Sequence, residues 1–359
     1  MLQTEQKSAT QGKIKFNGFS RKKVSRKSEI ISNSRDLVTC ETLLPDKDMP
    51  LLIRPKQGNV DLAEWTGNNL DYLNELLYRH GAVLFRGFDL RTDEDFGNYM
   101  GSLPFELIPY FEGSTPREEV GPRIYTSTMF PSEETIALHN EYSSSTKFPM
   151  KVWFFCAEEP IEGGETPIAS ARRILARIDP QIRAKFKRLG WMLIRNYGDG
   201  LGLPWRRAFQ IFEKEALERH CRECLIELQW KSDDRLRTRQ VRSAILTHPV
   251  TGDEVWFNHM SFWHAANLPA SVREEMVKAV GFDGLPFHTY YGDGTPIPDD
   301  VAHHIRDAYL AEKIKFKWQH GDLMIIDNML ASHGRESFTC PRKIRVAMAE
   351  PYFRPFFSP

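Results

Sequence analysis

Apolar residues follow two rhythms along this chain. Leu70, Leu73, Leu76 and Leu77 recur at spacings of three and four, the period of a helix with one buried face. His80-Gly81 supplies its stop, because glycine accepts the left-handed conformation that ends helices. Directly after it, Ala82-Val83-Leu84-Phe85-Arg86-Gly87-Phe88 reads as a buried strand, opened by an apolar run. Residues 150–156 repeat that run with Val152, Trp153, Phe154 and Phe155. Further strands are predicted at 51–53, 136–139, 244–247, 254–257, 315–319, 323–327 and 344–349, and helices at 93–100, 171–178, 180–189, 213–228, 271–280 and 298–312. Short strands on both sides of a helical stretch predict an α+β chain. Its core would be a double-stranded β-helix, or jelly roll, with helices around it.

The pattern also divides the chain. Residues 1–45 are polar and basic, as in Ser20-Arg21-Lys22-Lys23-Val24-Ser25-Arg26-Lys27, and read as a solvated, flexible arm. Residues 46–359 read as one domain, with a helical or loop insertion at about 190–243. Within it, Asn196-Tyr197-Gly198-Asp199-Gly200-Leu201-Gly202 is glycine-rich and reads either as a lid over a site or as a long surface connection. Arg235, Arg237 and Arg239 would share one face of an extended segment, suited to a carboxylate or phosphate or simply to water.

Lys+Arg and Asp+Glu balance at 48 each, which argues against broad nucleic-acid binding. No apolar run reaches the ~18 residues of a membrane span, and the N-terminus has no apolar signal core. Cys40, Cys156, Cys221, Cys224 and Cys340 are odd in number and scattered, as expected of reduced thiols in a cytoplasmic protein. Cys221-x-x-Cys224 lacks a second pair at zinc-finger spacing. Homo-oligomers are common among soluble globular proteins, so one is among the states expected here.

The candidate chemistry sits at His139-Asn140-Glu141, at the end of an apolar strand. Alternate residues of a strand share a face, so an imidazole and a carboxylate would aim at one point. His333 is the best third ligand, completing the two-histidine, one-carboxylate facial set of non-haem iron(II) oxygenases. An ordinary strand-end pair is the competing reading. A second such pair, His320-Gly321-Asp322, reads as a turn because glycine separates polar residues between two strand-like runs.

Four separated pieces then coincide with one family. They are His139-Asn140-Glu141, Gly163-Gly164-Glu165-Thr166-Pro167, the stretch Asp327-Asn328-Met329-Leu330-Ala331-Ser332-His333-Gly334-Arg335, and Pro341-Arg342-Lys343-Ile344-Arg345-Val346-Ala347-Met348. Over roughly residues 50–355 the chain resembles the taurine-dioxygenase-type (TauD/TfdA) iron(II)- and 2-oxoglutarate-dependent oxygenases. It is most similar to the branch of the syringomycin-pathway aspartyl hydroxylase, with Arg195-Asn196-Tyr197-Gly198 and residues 235–242 adding to the likeness. The resemblance implies iron(II) on His139, Glu141 and His333, with 2-oxoglutarate and O2 as co-substrates. It implies a 2-oxoglutarate carboxylate on Thr166 and the distal one on Arg342, with Arg345 as the alternative should the strand register differ. Inward-pointing Arg342 requires Ile344 and Val346 inward and Arg345 outward. Taurine-specific relatives carry a second arginine where this chain has Val346, so a small sulfonate is disfavoured. Related halogenases carry a small residue where this chain has Glu141, so hydroxylation, desaturation or epoxidation is favoured over halogenation.

The expected substrate is an amino acid or an aminoacyl group in natural-product biosynthesis, free or tethered to an acyl or peptidyl carrier protein. Asn196, Tyr197, Arg239 and Asn258 are the candidates for substrate contact or lid. The alternatives are a catabolic dioxygenase of a free small carboxylate and a non-catalytic binding module on the same fold.

Overall fold

The computed structural model describes residues 34–58, 60–110, 117–198 and 200–357. Eight strands form the main sheet, in the order Val38–Thr42, Leu51–Pro55, Ala82–Phe85, Leu323–Asp327, Lys147–Glu158, Lys343–Phe353, Ile124–Thr126, Glu119–Gly121. Leu51–Pro55 and Ala82–Phe85 run parallel, joined through the helices Leu62–Asn68 and Leu70–His80; the other neighbours are antiparallel.

The central strands are buried on both faces, which explains their unbroken apolar runs. Val152, Phe154, Met324, Ile326, Ile344, Val346 and Met348 point inward, toward Ile168, Leu330 and Ala331 of the opposing layer. Trp153, Phe155, Leu323, Ile325 and Ala347 point outward, against Trp65, Leu73, Leu77, Phe96 and Tyr99 of the covering helices. Those helices have local reasons to stop and start where they do. Gly81 (φ 75°) closes Leu70–His80, and Thr92 with Asp95 forms a reciprocal cap on Asp93–Ser102.

The opposing layer is a three-stranded sheet, Ile136–His139, Ala331–Arg335 and Ile168–Ser170. The two layers with their outer helices make the jelly-roll, α+β architecture expected from the sequence. The helices Ala171–Arg177, Pro180–Leu189 and Asp299–Glu312 contribute to a third apolar cluster outside the small sheet.

Four expectations need correction. The polar arm does not extend to residue 45: Val38–Thr42 is an edge strand paired with Leu51–Pro55, held by backbone bonds that its polar side chains conceal. Residues 1–33 lie outside the described residues. The insertion is not merely helical or looped. Trp191–Tyr197 and Leu236–Arg242 pair along seven residues and, with Glu227–Trp230 and Phe287–Tyr291, form a four-stranded antiparallel sheet. The inward face of Leu236–Arg242 is partly polar (Thr238, Gln240, Arg242), so apolar alternation gave no signal. The helix expected over 213–228 is Lys214–Glu223, followed by the strand Glu227–Trp230. Residues 315–319 form no strand, although Phe316 and Trp318 do reach the core.

His320-Gly321 is a turn, with Gly321 at φ 87°. Asp322 is its buried anchor, accepting Arg86 Nε at 2.8 Å and Nη2 at 2.6 Å. All five cysteines are unbridged. No helix among the described residues is long and apolar enough to cross a membrane.

Breaking a buried pair strands the remaining charge. Asp322→Ala is therefore expected to destabilise the protein by about 3–5 kcal/mol, read from the urea unfolding midpoint.

Candidate metal centre

The strand Ile136–His139 ends at its histidine, and Glu141 sits in the following turn. The two ligands therefore converge through a turn, with Tyr142 at φ 54°, and not through strand alternation as the spacing suggested. Two asparagines impose that turn. Asn328 Oδ1 accepts the Glu141 N–H at 2.8 Å, and its Nδ2 donates to Glu141 O at 2.9 Å and Pro149 O at 2.8 Å. Asn140 Nδ2 donates to Asn328 O at 2.7 Å and Ala331 O at 3.2 Å. Arg354 donates to the carbonyls of Ser143 and Ser145, fixing the far end of the same turn.

His333 is the antiparallel cross-strand partner of His139, with ring centroids 4.5 Å apart. One ligand atom from each of His139, Glu141 and His333 lies within 4.8 Å of the others. This is the only group of three or more metal-ligating side chains so placed among the described residues. His139 Nδ1 donates to Ala137 O at 2.8 Å, which leaves Nε2 to ligate. His333 Nε2 lies 3.4 Å from Glu141 Oε2, and its buried Nδ1 has no hydrogen-bond partner. Two imidazole nitrogens and one carboxylate oxygen, with room on one side, fit a non-haem iron(II) ion.

The protonation states suit that ion. Burial, then the neighbouring His333, pushes His139 down to about 4, so it is neutral at physiological pH. Burial alone would raise Glu141, but Arg117 and the histidines outweigh it and hold the carboxyl well below the usual range. Arg117 Nη2 lies 3.1 Å from Glu141 Oε2, and both side chains are almost fully buried. Sequence reasoning missed Arg117. A buried carboxylate requires a cation, but nothing local distinguishes this arginine from the rest.

Two cavities meet at the triad. The smaller is lined by Thr166, Arg342, Ile344, Val346 and His333, and the larger, about 370 Å³, by aromatic and apolar side chains. In the smaller, Arg342 donates through Nε to Gly164 O at 2.8 Å and through Nη1 to Ser127 Oγ at 3.1 Å. Its Nη2 lies 3.4 Å from Thr166 Oγ1, which also accepts Trp318 Nε1 at 3.2 Å. Burial, then Arg335, lowers Arg342 to about 10, still charged at neutral pH. Gly164, at φ 68°, admits this contact: a Cβ there would come within 2.9 Å of Arg342 Cδ. Arg345 faces the other side of the sheet and forms a two-pronged pair with Asp93 at 2.7–2.8 Å.

The larger cavity takes its walls from Tyr110, Phe130, Tyr142, Phe262, Trp263 and Phe287, with His259 near the triad. None of the four substrate or lid candidates lines it. Asn196 donates to Asp283 O and Leu285 O, and Asn258 to Ala244 O, so both serve the backbone. Tyr197 is buried in the insertion's own core, and Arg239 pairs with Glu227 at 3.4 Å on the surface. His259, stacked on Trp263 at 4.4 Å and bonded to Ser143 Oγ, was not anticipated from sequence.

The family model for the taurine catabolism dioxygenase TauD, TfdA family matches residues 45–348. A dapdiamide synthesis protein, DdaC, of Enterobacter agglomerans is 41% identical over 281 residues, covering 78% of this chain and 85% of that protein. A clavaminate synthase-like protein of Arabidopsis thaliana is 27% identical over 343 residues, covering 88% of this chain and 99% of its own. Among solved structures, PvcB of Pseudomonas aeruginosa, described as an Fe, alpha-ketoglutarate dependent oxygenase from an isonitrile synthetic pathway, aligns with TM-score 0.51 at 16% identity, covering 87% of this chain and 91% of that one. The likeness to PvcB shows a shared fold.

Asn328→Ala leaves the buried Glu141 N–H and two carbonyls unpaired. It is expected to cost about 3 kcal/mol or more in urea unfolding and to weaken iron(II) binding in an equilibrium metal assay. A pH effect follows from the buried histidines. Burial is the main cause that depresses His139 and His264 to about 4 and His288 to about 3, outweighing at His264 the Ile297 carbonyl and Asp299, which act the other way. The unfolded chain then binds more protons below about pH 6.5, so stability is full above that value and is lost as pH falls toward 4. Metal-free protein should lose roughly 1–2 kcal/mol per such histidine between pH 7.5 and 5, measured by urea unfolding at each pH.

Proposed function

The chain belongs to the TauD, TfdA family of iron(II)- and 2-oxoglutarate-dependent dioxygenases, and from that premise we propose that it oxidises an amino acid or aminoacyl group in natural-product biosynthesis. The observation that carries this reading is the position of His139, Glu141 and His333 at the junction of two cavities, the smaller holding Arg342 and Thr166 and the larger walled mainly by aromatic side chains. In this reading the triad holds iron(II), Arg342 and Thr166 hold 2-oxoglutarate in the small cavity, and the substrate occupies the large one.

Iron(II) with 2-oxoglutarate supplies the O2-dependent oxidation of an unactivated C–H bond when bound. The chain's own residues supply position. His139 presents Nε2 because the Ala137 carbonyl holds Nδ1. Arg342 offers a planar fork to a carboxylate, which a lysine would not reproduce. Phe262, Trp263 and Phe287 restrict water around the substrate.

The biosynthetic setting is supported by the 41% identity to a protein named for dapdiamide synthesis. A carrier-bound substrate is supported by position. Lys231, Arg235 and Arg237 line an open groove whose wall residues Asp283 and Gly284 immediately precede in the chain Leu285, Pro286 and Phe287 of the large cavity. Asp233 and Asp283 lie in the same groove, so its charge is mixed. Turnover of the carrier-bound but not the free acid would support this reading. Turnover of the free acid alone would favour the catabolic alternative.

Anaerobic titration with iron(II) and then 2-oxoglutarate is expected to give the weak visible charge-transfer band of the chelate. The band should vanish in Glu141→Ala and His333→Ala. Arg342→Ala should raise the 2-oxoglutarate requirement at least tenfold, while Arg345→Ala should leave it within about twofold. Iron binding without the band would remove the co-substrate assignment. Neither binding nor band would leave a binding module.

A further inference from the structure

We infer that Arg117 is the residue that selects the substrate, by binding a carboxylate of the amino acid, or a side-chain carboxylate of a tethered aminoacyl group, in the large cavity. The inference rests on the iron and 2-oxoglutarate reading of the site and adds the chemical class of its third occupant.

Arg117 is not used up by Glu141. Only Nη2 faces that carboxylate, at 3.1 Å and 3.3 Å from its two oxygens. Nε and Nη1 are buried and have no hydrogen-bond partner. The side chain is 5% exposed, and a buried guanidinium with two empty donor positions is costly unless a ligand fills them. A guanidinium serving only as a counter-ion would be expected to meet the carboxylate with two parallel bonds. Here the pair is made through one nitrogen. The Tyr110 ring, 4.9 Å from the guanidinium carbon, supports its face.

The free donors belong to a residue that lines both cavities. Among the described residues, Arg117 and Glu141 are the only Asp, Glu, Lys or Arg side chains on the large cavity. Glu141 is committed to the metal, so among the described residues no carboxylate side chain remains there to meet an ammonium group. The charge count points the same way. Iron(II) contributes two positive charges and 2-oxoglutarate two negative ones. Glu141 offsets one of the two arginines, Arg117 and Arg342, and the group retains a surplus of about one positive charge that a monoanion neutralises. The remaining walls are mainly aromatic and aliphatic, including Phe130, Phe262, Trp263, Leu268 and Met276, with Thr128, Thr135 and Ser144 as uncharged polar groups. Val346, on the strand that follows Arg342, offers no second arginine. Arg117 meets the substrate anion from the opposite side of the site.

The test uses three probes of one shape, 3-phenylpropionate, 3-phenylpropanamide and 3-phenylpropylamine. They are titrated calorimetrically into anaerobic protein saturated with iron(II) and 2-oxoglutarate, while the visible band is recorded. The unmodified protein should prefer the carboxylate at least tenfold over the amide and still more over the amine. Arg117→Gln should reduce that preference to within about twofold. Arg117→Lys, which keeps the charge without the fork and covers the case of a poorly folded glutamine variant, should lie between. An equal preference in Arg117→Gln and unmodified protein overturns the inference, as does no preference in the unmodified protein. Binding of the carboxylate only with loss of the band overturns it too, because the probe would then occupy the 2-oxoglutarate place. Absence of the band from the start removes the iron reading alone, and a carboxylate preference lost in Arg117→Gln but kept in Arg342→Gln then still decides for Arg117, the reverse against it.

Discussion

The side chain of Asn328 holds this site together. It forms three hydrogen bonds to main-chain groups of Glu141 and Pro149, almost 190 residues earlier in the chain, and Asn140 returns two from the other side. All these groups are buried, so each bond satisfies a polar atom that water cannot reach. The turn bearing Glu141 is thereby tied to the connection between Leu323–Asp327 and Ala331–Arg335. His333 stands on the second of those strands and pairs with His139. One polar clasp sets the distance between ligands from opposite ends of the domain.

The clasp works because the sheets around it leave little slack. Lys147–Glu158 lies between two partners and is buried on both faces, so the strands flanking the site cannot slip without exposing apolar side chains. The same register decides which arginine faces inward. Ile344 and Val346 line the small cavity beside Arg342, while Arg345 reaches Asp93 across the sheet. The Gly163-Gly164 turn completes the arrangement. A side chain at Gly163 would fall 2.2 Å from the Ser337 carbonyl, and one at Gly164 would press on Arg342.

Much of this was legible where function and pattern coincide. The buried strands showed as unbroken apolar runs, and Arg342 was expected from the family resemblance, with alternation along the strand that follows it setting Ile344 and Val346 inward and Arg345 outward. Legibility failed where a buried face is polar. Thr238, Gln240 and Arg242 form the inner side of a strand, yet they read as part of a basic surface. Gln240 and Arg242 both donate to the Ser144 carbonyl, a partner that no local pattern announces. Asn196 and Asn258 failed in the opposite sense, since both looked fit to bind substrate and both are occupied by backbone carbonyls. Arg117 and His259 reach the site from distant segments, and only the folded chain identifies them.

The triad also shows how the fold prepares for a cation. Metal ligation needs a neutral imidazole and an ionised carboxylate, and sites that must lose protons bind metal less well as pH falls. Burial keeps His139 neutral down to about pH 4, and Arg117 keeps Glu141 ionised despite its burial. At neutral pH neither group has a proton to release. The two devices pull in opposite directions on the cation itself, because the arginine that holds Glu141 ionised also repels the metal's charge. A pair made through one guanidinium nitrogen eases that conflict. Both Glu141 oxygens share that one donor, at 3.1 Å and 3.3 Å, so the carboxylate keeps lone pairs to turn toward a metal, and the rest of the guanidinium is left facing the cavity.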